Sequence, residues 1–190
     1  MGLDQYIYRV SKPNLENRMY TAEEIALIGN LHRVSVVDFE TKDCLFEELT
    51  PYVIKRDVEC EFYDVEKMIA DYNLPKNSYI WRYSGGGITI GGRDENGKKI
   101  DQEIFNNEIR EKYTKTEIIP CYIWKAEEVQ YWRKHYDLQD WIYDSIDEVE
   151  NTAYRILSAD LIEDLNETFG EDIPTEEPTD KSALFYWEWY

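Results

Sequence analysis

Apolar positions recur along this chain with two different periods, and the switches between them mark its elements. Residues 3–10 are β-prone and aromatic: Leu3, Ile7 and Val10, with Tyr6 and Tyr8 between them, predict a β-strand that Lys12-Pro13 ends. Thr21-Ala22-Glu23-Glu24 has the spacing of a capping box. Ile25, Leu27 and Ile28 follow it, and Gly29-Asn30 can close a short helix in a left-handed turn. From 33 to 63 the pattern alternates, in VSVVDF and VECEFY, with a break at Pro51, which predicts a meander of short strands. Asp64 then caps a helix carrying Val65, Met68, Ile69 and Tyr72 on one face. Residues 79–83 and 88–90 flank SGGG as a hairpin, and Asp94-Glu95-Asn96-Gly97 is a second turn.

In the last third, 116–124 reads as a strand, 127 to about 144 as a helix, and 152–157 as a strand. Ser158 caps a final helix that Gly170 stops. Strands and helices intermix without regular βαβ alternation, so the expected class is α+β. Short antiparallel strands in meanders and hairpins would pack with three to five helices around an aromatic-rich core. The expected organisation is a single domain over 1–190. Its residues 171–181 form an acidic, Pro-containing mobile linker, and the aromatic segment 182–190 docks back as an edge strand or plug.

On a helical wheel of the 127–144 segment, Tyr131, His135, Leu138 and Ile142 share one stripe with Trp141 beside it. Arg133, Asp137, Asp140 and Asp144 take the opposite side, with Trp132, Tyr136, Gln139 and Tyr143 between. A core helix explains these positions better than a base-stacking platform, because only Arg133 and Lys134 add positive charge there. His135, on the apolar side, reads as a hydrogen-bonded core histidine rather than a general base.

Charge narrows the function classes. Forty acids stand against 21 bases in 190 residues, a formal net charge of −19, which disfavours direct binding to DNA or to anionic membranes and favours a basic protein partner. No uncharged stretch reaches the length of a membrane span, so a cytoplasmic location is expected. Cys44, Cys60 and Cys121 show neither disulfide nor zinc spacing and read as reduced thiols. His32 and His135 make no ligand pattern, so neither a metal site nor a cofactor is expected. SGGGITIGG lacks the Gly-Lys-Ser/Thr of a phosphate loop, and Ile90 stands where a dinucleotide fingerprint needs Gly.

GLDQYIYRV, EEVQYWRK, AYRILSADLIEDL and the closing LFYWEWY together carry a resemblance. The chain resembles a family of phage and prophage proteins whose members begin MGLDMYLY and share a middle motif close to YWRKANAIHKW. The match covers both ends and most of 127–169, and residues 11–120 lie outside it. The resemblance implies no activity, but it does imply a candidate motif helix of Trp132, Arg133, Tyr136 and Gln139. There Tyr136 and Gln139 stand where the family has Asn and His. A Gln amide cannot titrate, so any proton transfer built on that His would be lost here. Catalytic residues stay unassigned.

The strongest single feature is the acid-rich stretch from Asp137 to Asp180, where fifteen acids face Arg155 alone. Asp160, Glu163, Asp164 and Glu167 fall on one stripe of the last helix, with Leu161, Leu165 and Phe169 facing inward. These four charges span about 10.5 Å at ~1.5 Å per residue, close to the ~3.4 Å charge spacing of one DNA strand. With Asp137, Asp140 and Asp144 they make a surface that can stand in for phosphates. The leading expectation is a phage accessory protein that inhibits a basic, nucleic-acid-binding host defence protein, such as a CRISPR effector or restriction enzyme. Two alternatives remain: a small metal-dependent hydrolase or nuclease acting on RNA or nucleotides, and a structural module forming homo-oligomers through its aromatic C-terminus.

Overall fold

The computed structural model of the chain describes residues 2–35, 48–71, 79–82, 88–93, 99–104, 112–146 and 153–189, with Ser35 and 79–104 as backbone only. Four α-helices and ten strands lie among them. The class is α+β, with more sheet than helix. The expected architecture of short meandering strands needs correction, because the main sheet is built on long-range pairing. Its seven strands run in the order β2 (Tyr20–Thr21), β4 (Ile54–Tyr63), β8 (Thr114–Arg133), β1 (Asp4–Ser11), β10 (Ser182–Trp189) and β9 (Tyr154–Leu157), with β3 (Leu31–Ser35) also on β8.

By internal packing the chain forms two compact units, one of residues 1–58 and 119–190 and the other of 59–118. In the second, β5 (Tyr79–Arg82), β6 (Ile88–Arg93) and β7 (Lys99–Ile104) form an antiparallel three-stranded sheet, as the hairpin pattern predicts. The SGGG and Asp94-Glu95-Asn96-Gly97 turns, and Tyr72, lie outside the described residues. The helix α2 (Val65–Asp71) starts as expected. The Asp64 carboxylate accepts from the Lys67 N–H at 3.0 Å, and Met68 is fully buried.

The first unit holds the rest of the helices. In α1 (Ala22–Ile28) both capping-box bonds form between Thr21 and Glu24, and the helix buries Ile25. Its C-cap is Gly29, at φ 73°, and Asn30 follows at φ 53°. The largest departure from the sequence pattern follows Trp124. The segment expected to be helical from Glu127 stays extended to Arg133, because it pairs with β1 from Asp4↔Arg133 to Ser11↔Lys125 and so satisfies backbone groups that a helix would have satisfied internally. Between Ile7↔Gln130 and Tyr8↔Glu128 the register slips, so Val129 is the extra residue of a bulge. The chain then turns at Lys134, φ 59°, and α3 (Tyr136–Ile146) begins. His135 is its cap: Nδ1 accepts from the Leu138 N–H at 3.1 Å.

The last helix, α4 (Ala159–Phe169), starts at Ser158, whose hydroxyl accepts from the Leu161 N–H, and ends at Gly170 in the left-handed conformation. Beyond it residues 171–181 form no helix or strand but are anchored. Ile173 is buried, the Asn166 side chain bonds both its N–H and its C=O, and Arg9 pairs with Glu176. The aromatic segment then enters the sheet between β1 and β9, an interior place rather than the expected edge.

Parity along these strands separates two cores. Ile7, Leu184, Tyr186 and Leu157 face Leu138 and Ile142 of α3 and Ile162 and Leu165 of α4. Val10, Ala126, Trp124, Ala183, Phe185 and Tyr154 face the opposite way, toward Leu49 and Tyr52. Cys60 and Cys121 are buried and, among the described residues, in no disulfide, while Cys44 lies outside the described residues. Among the described residues no helix is long and apolar enough to cross a membrane.

Candidate functional site

Helices α3 and α4 lie over the same core, and ring contacts lock them together. Phe169 meets His135 edge-on at 5.2 Å and Trp141 at 5.9 Å. With Leu138 and Ile142 of one helix and Ile162 and Leu165 of the other facing inward, helical periodicity sets Asp137, Asp140, Asp144, Asp160, Glu163, Asp164 and Glu167 outward. All seven are exposed. Among the described residues none of them enters an ion pair, whereas other acids of the same stretch have internal work. Glu171 accepts from Gln130 and from the Trp132 indole at 2.7 Å, and Glu176 holds Arg9. Within the acid-rich stretch, Glu171 and Glu176 are therefore structural carboxylates, whereas the seven on the two helices enter no ion pair among the described residues.

The candidate motif helix is not one helix. Trp132 and Arg133 end β8, while Tyr136 and Gln139 lie on α3, so the wheel that aligned them does not exist. Arg133 is an exposed cation 3.8 Å from Asp4, and Tyr136 is exposed at the first turn of α3. Gln139 alone of the four reaches a buried polar group, and sequence reasoning missed what it meets. Glu188 of β10 is fully buried. It accepts hydrogen bonds from Gln139, from the Tyr143 hydroxyl, and from the Tyr186 hydroxyl at 2.8 Å. Gln5, also fully buried, donates to Tyr186 at 2.8 Å and accepts from the His135 N–H at 3.2 Å. Burial, with the charge of Glu188 adding, holds the Tyr186 phenol far above its ordinary value, so it remains a donor.

This network ties β1, α3 and β10 together directly beneath the acidic helices. It has the form of a positioning device, since every polar group named in it is satisfied. The signal that could have revealed it is period two within DQYIYRV and ALFYWEWY, which puts Gln5 and Ile7, and Leu184, Tyr186 and Glu188, on one face. Among the described residues no group of three or more His, Cys, Asp or Glu side chains is arranged to hold a metal ion. In comparisons with known proteins, no family model, no curated protein and no solved structure matches the chain.

Proposed function

We propose that this protein is an acidic inhibitor that occupies the cationic channel of a nucleic-acid-handling protein. A host defence effector of CRISPR or restriction type is the partner class to which the phage-like resemblance points. The observation that supports this reading is the set of seven exposed carboxylates, free of ion pairs among the described residues, on two helices fixed over one core. Carboxylates held on a rigid support can accept hydrogen bonds from Arg and Lys without first leaving an internal partner. Their combined field also attracts a basic surface over a distance of about one Debye length, ~8 Å at physiological salt.

The test is competition. A nucleic-acid-binding protein captured from bacterial lysate at low ionic strength should lose its labelled DNA or RNA when this chain is added. The capture should fail at high ionic strength, and the triple variant Glu163→Lys, Asp164→Lys, Glu167→Lys should neither capture nor compete. Undiminished competition by that variant would remove the acidic helices from the mechanism.

A further inference from the structure

The sheet face turned away from α3 and α4 carries a different surface. Strand parity puts Tyr6 and Tyr8 of β1 and Tyr131 of β8 on that face, with Trp187 of β10 in register with Tyr6. Tyr6 is the centre of the group. Its ring stacks on Tyr8 at 5.3 Å and 10°, lies 4.9 Å from Tyr131 and 5.3 Å from Trp187. Tyr131 is 41% exposed, while Tyr6 and Tyr8 are partly exposed, so the phenol row is open to solvent at its Tyr131 end.

Two carboxylates stand beside these rings. Asp4 accepts from the Tyr131 hydroxyl at 2.8 Å. Glu128, directly across from Tyr8 in the register, is exposed and in no ion pair among the described residues. The proximity of these charges is felt by the phenols. Burial raises Tyr6, and Asp4 and Glu128 raise it further; Tyr8 is pushed up to about 12 by burial, with Tyr6 and Glu128 adding. Among the described residues the cation at this cluster is Arg133, mostly exposed and 3.8 Å from Asp4. Ring faces carry negative potential, so phenols flanked by carboxylates are an arrangement that a cation relieves and an anion worsens. Phosphate groups, and hence nucleic acid stacked on these rings, are disfavoured.

We propose that Tyr6, Tyr8 and Tyr131, with Glu128 and Asp4, form a docking site for an arginine side chain of a basic protein partner. Arginine fits better than lysine because its flat guanidinium can stack on a phenol while its N–H fork engages a carboxylate at the edge. The site is separate from the acidic helices, which cover the other face of the sheet, so it stands or falls independently of the inhibitor reading.

Calorimetric titration of the full chain with a glycine-spaced triarginine peptide tests it, alongside the citrulline and lysine versions of that peptide. The arginine peptide should bind, the neutral citrulline peptide should not, and the lysine peptide should bind more weakly. Glu128→Gln and Tyr131→Leu, both at exposed positions, should each weaken the arginine peptide about three- to tenfold, while Glu163→Gln on α4 leaves it unchanged. Equal affinity for the lysine peptide would overturn the guanidinium assignment. So would an equal loss in Glu163→Gln, which would mean diffuse attraction to an acidic protein. Ring-proton shifts of the wild-type tyrosines on adding the arginine peptide give a reading that needs no variant to fold. Their absence at saturation would also overturn the site.

Discussion

Gln139 of α3 directs its amide nitrogen at both carboxylate oxygens of the fully buried Glu188, at 3.1 and 3.2 Å. The carboxylate is held by neutral donors, namely Gln139, Tyr143 and Tyr186. Removing one donor leaves a buried acceptor short of a partner, at a cost of about 1–3 kcal/mol. Gln139→Leu should therefore lower the unfolding free energy by that amount in urea titration. Gln139→His, which retains an N–H donor and can add a positive charge, should cost less. A Leu variant as stable as the wild type would mean that Glu188 does not depend on this bond.

Gly170 ends α4 at φ 70°, and a Cβ built there would meet nothing within 4 Å. Its only requirement is the left-handed backbone, where a side chain costs about 1–2 kcal/mol. Gly170→Ala should lower stability by about 1 kcal/mol in the same titration and leave competition for a partner unchanged, because the acids of α4 lie upstream of the cap.

The segment after Gly170 is anchored by short-range chemistry that can be cut one bond at a time. Asn166 bonds the backbone of Ile173 in both directions, at 2.8 and 3.0 Å, and Ile173 is buried with the core beneath α4. Asn166→Ala should loosen this clamp, and a protease specific for glutamate should then cleave at Glu176 or Glu177 faster than in the wild type. Equal cleavage rates would place the anchor elsewhere, in the Arg9–Glu176 pair or in the pairing of β10.

How much of this was legible in the sequence depends on the distance over which each feature is decided. The capping box at Thr21 and Glu24, the Asp64 cap and the Ser158-to-Gly170 helix rest on contacts within a few residues, and the chain pattern shows them. The outward acids of α4 are equally readable, since a helix period fixes which side chains share its solvent face. The fate of Glu127–Arg133 is different. EEVQYWRK has acceptable helix propensity, and it becomes a strand because β1, more than a hundred residues earlier, supplies the hydrogen-bonding edge. For the same reason the interior place of β10 was hidden, and with it the meeting of Glu188 and Gln139. Each residue lies on its own element's inward face, but nothing local says that the two faces meet.

His32 should make stability depend on pH. Its ring packs against Tyr8, Trp124 and Tyr154, and its Nδ1 lies 2.7 Å from the Tyr154 hydroxyl. Burial holds Tyr154 far above its ordinary value, so that hydroxyl keeps its proton and can donate it to Nδ1. Burial also lowers His32 below its ordinary 6.5, which keeps the ring neutral, and in the tautomer protonated at Nε2 its Nδ1 accepts that bond. The unfolded chain then takes up a proton before the folded one does. The contribution of His32 is fully present above about pH 6.5 and is lost as pH falls below that value through the lowered folded pKa. Carboxylates whose values are lowered in the fold, such as Glu24 and Glu127, begin to act only near and below their ordinary 4.5, so between about pH 5 and 6.5 they add little to the histidine's contribution. Urea titrations across that interval should show wild-type stability falling with acidification. His32→Asn, which leaves Tyr154 an acceptor but cannot charge, should show a flatter profile. Identical slopes for the two proteins would mean that the imidazole charges as readily in the fold as in the unfolded chain.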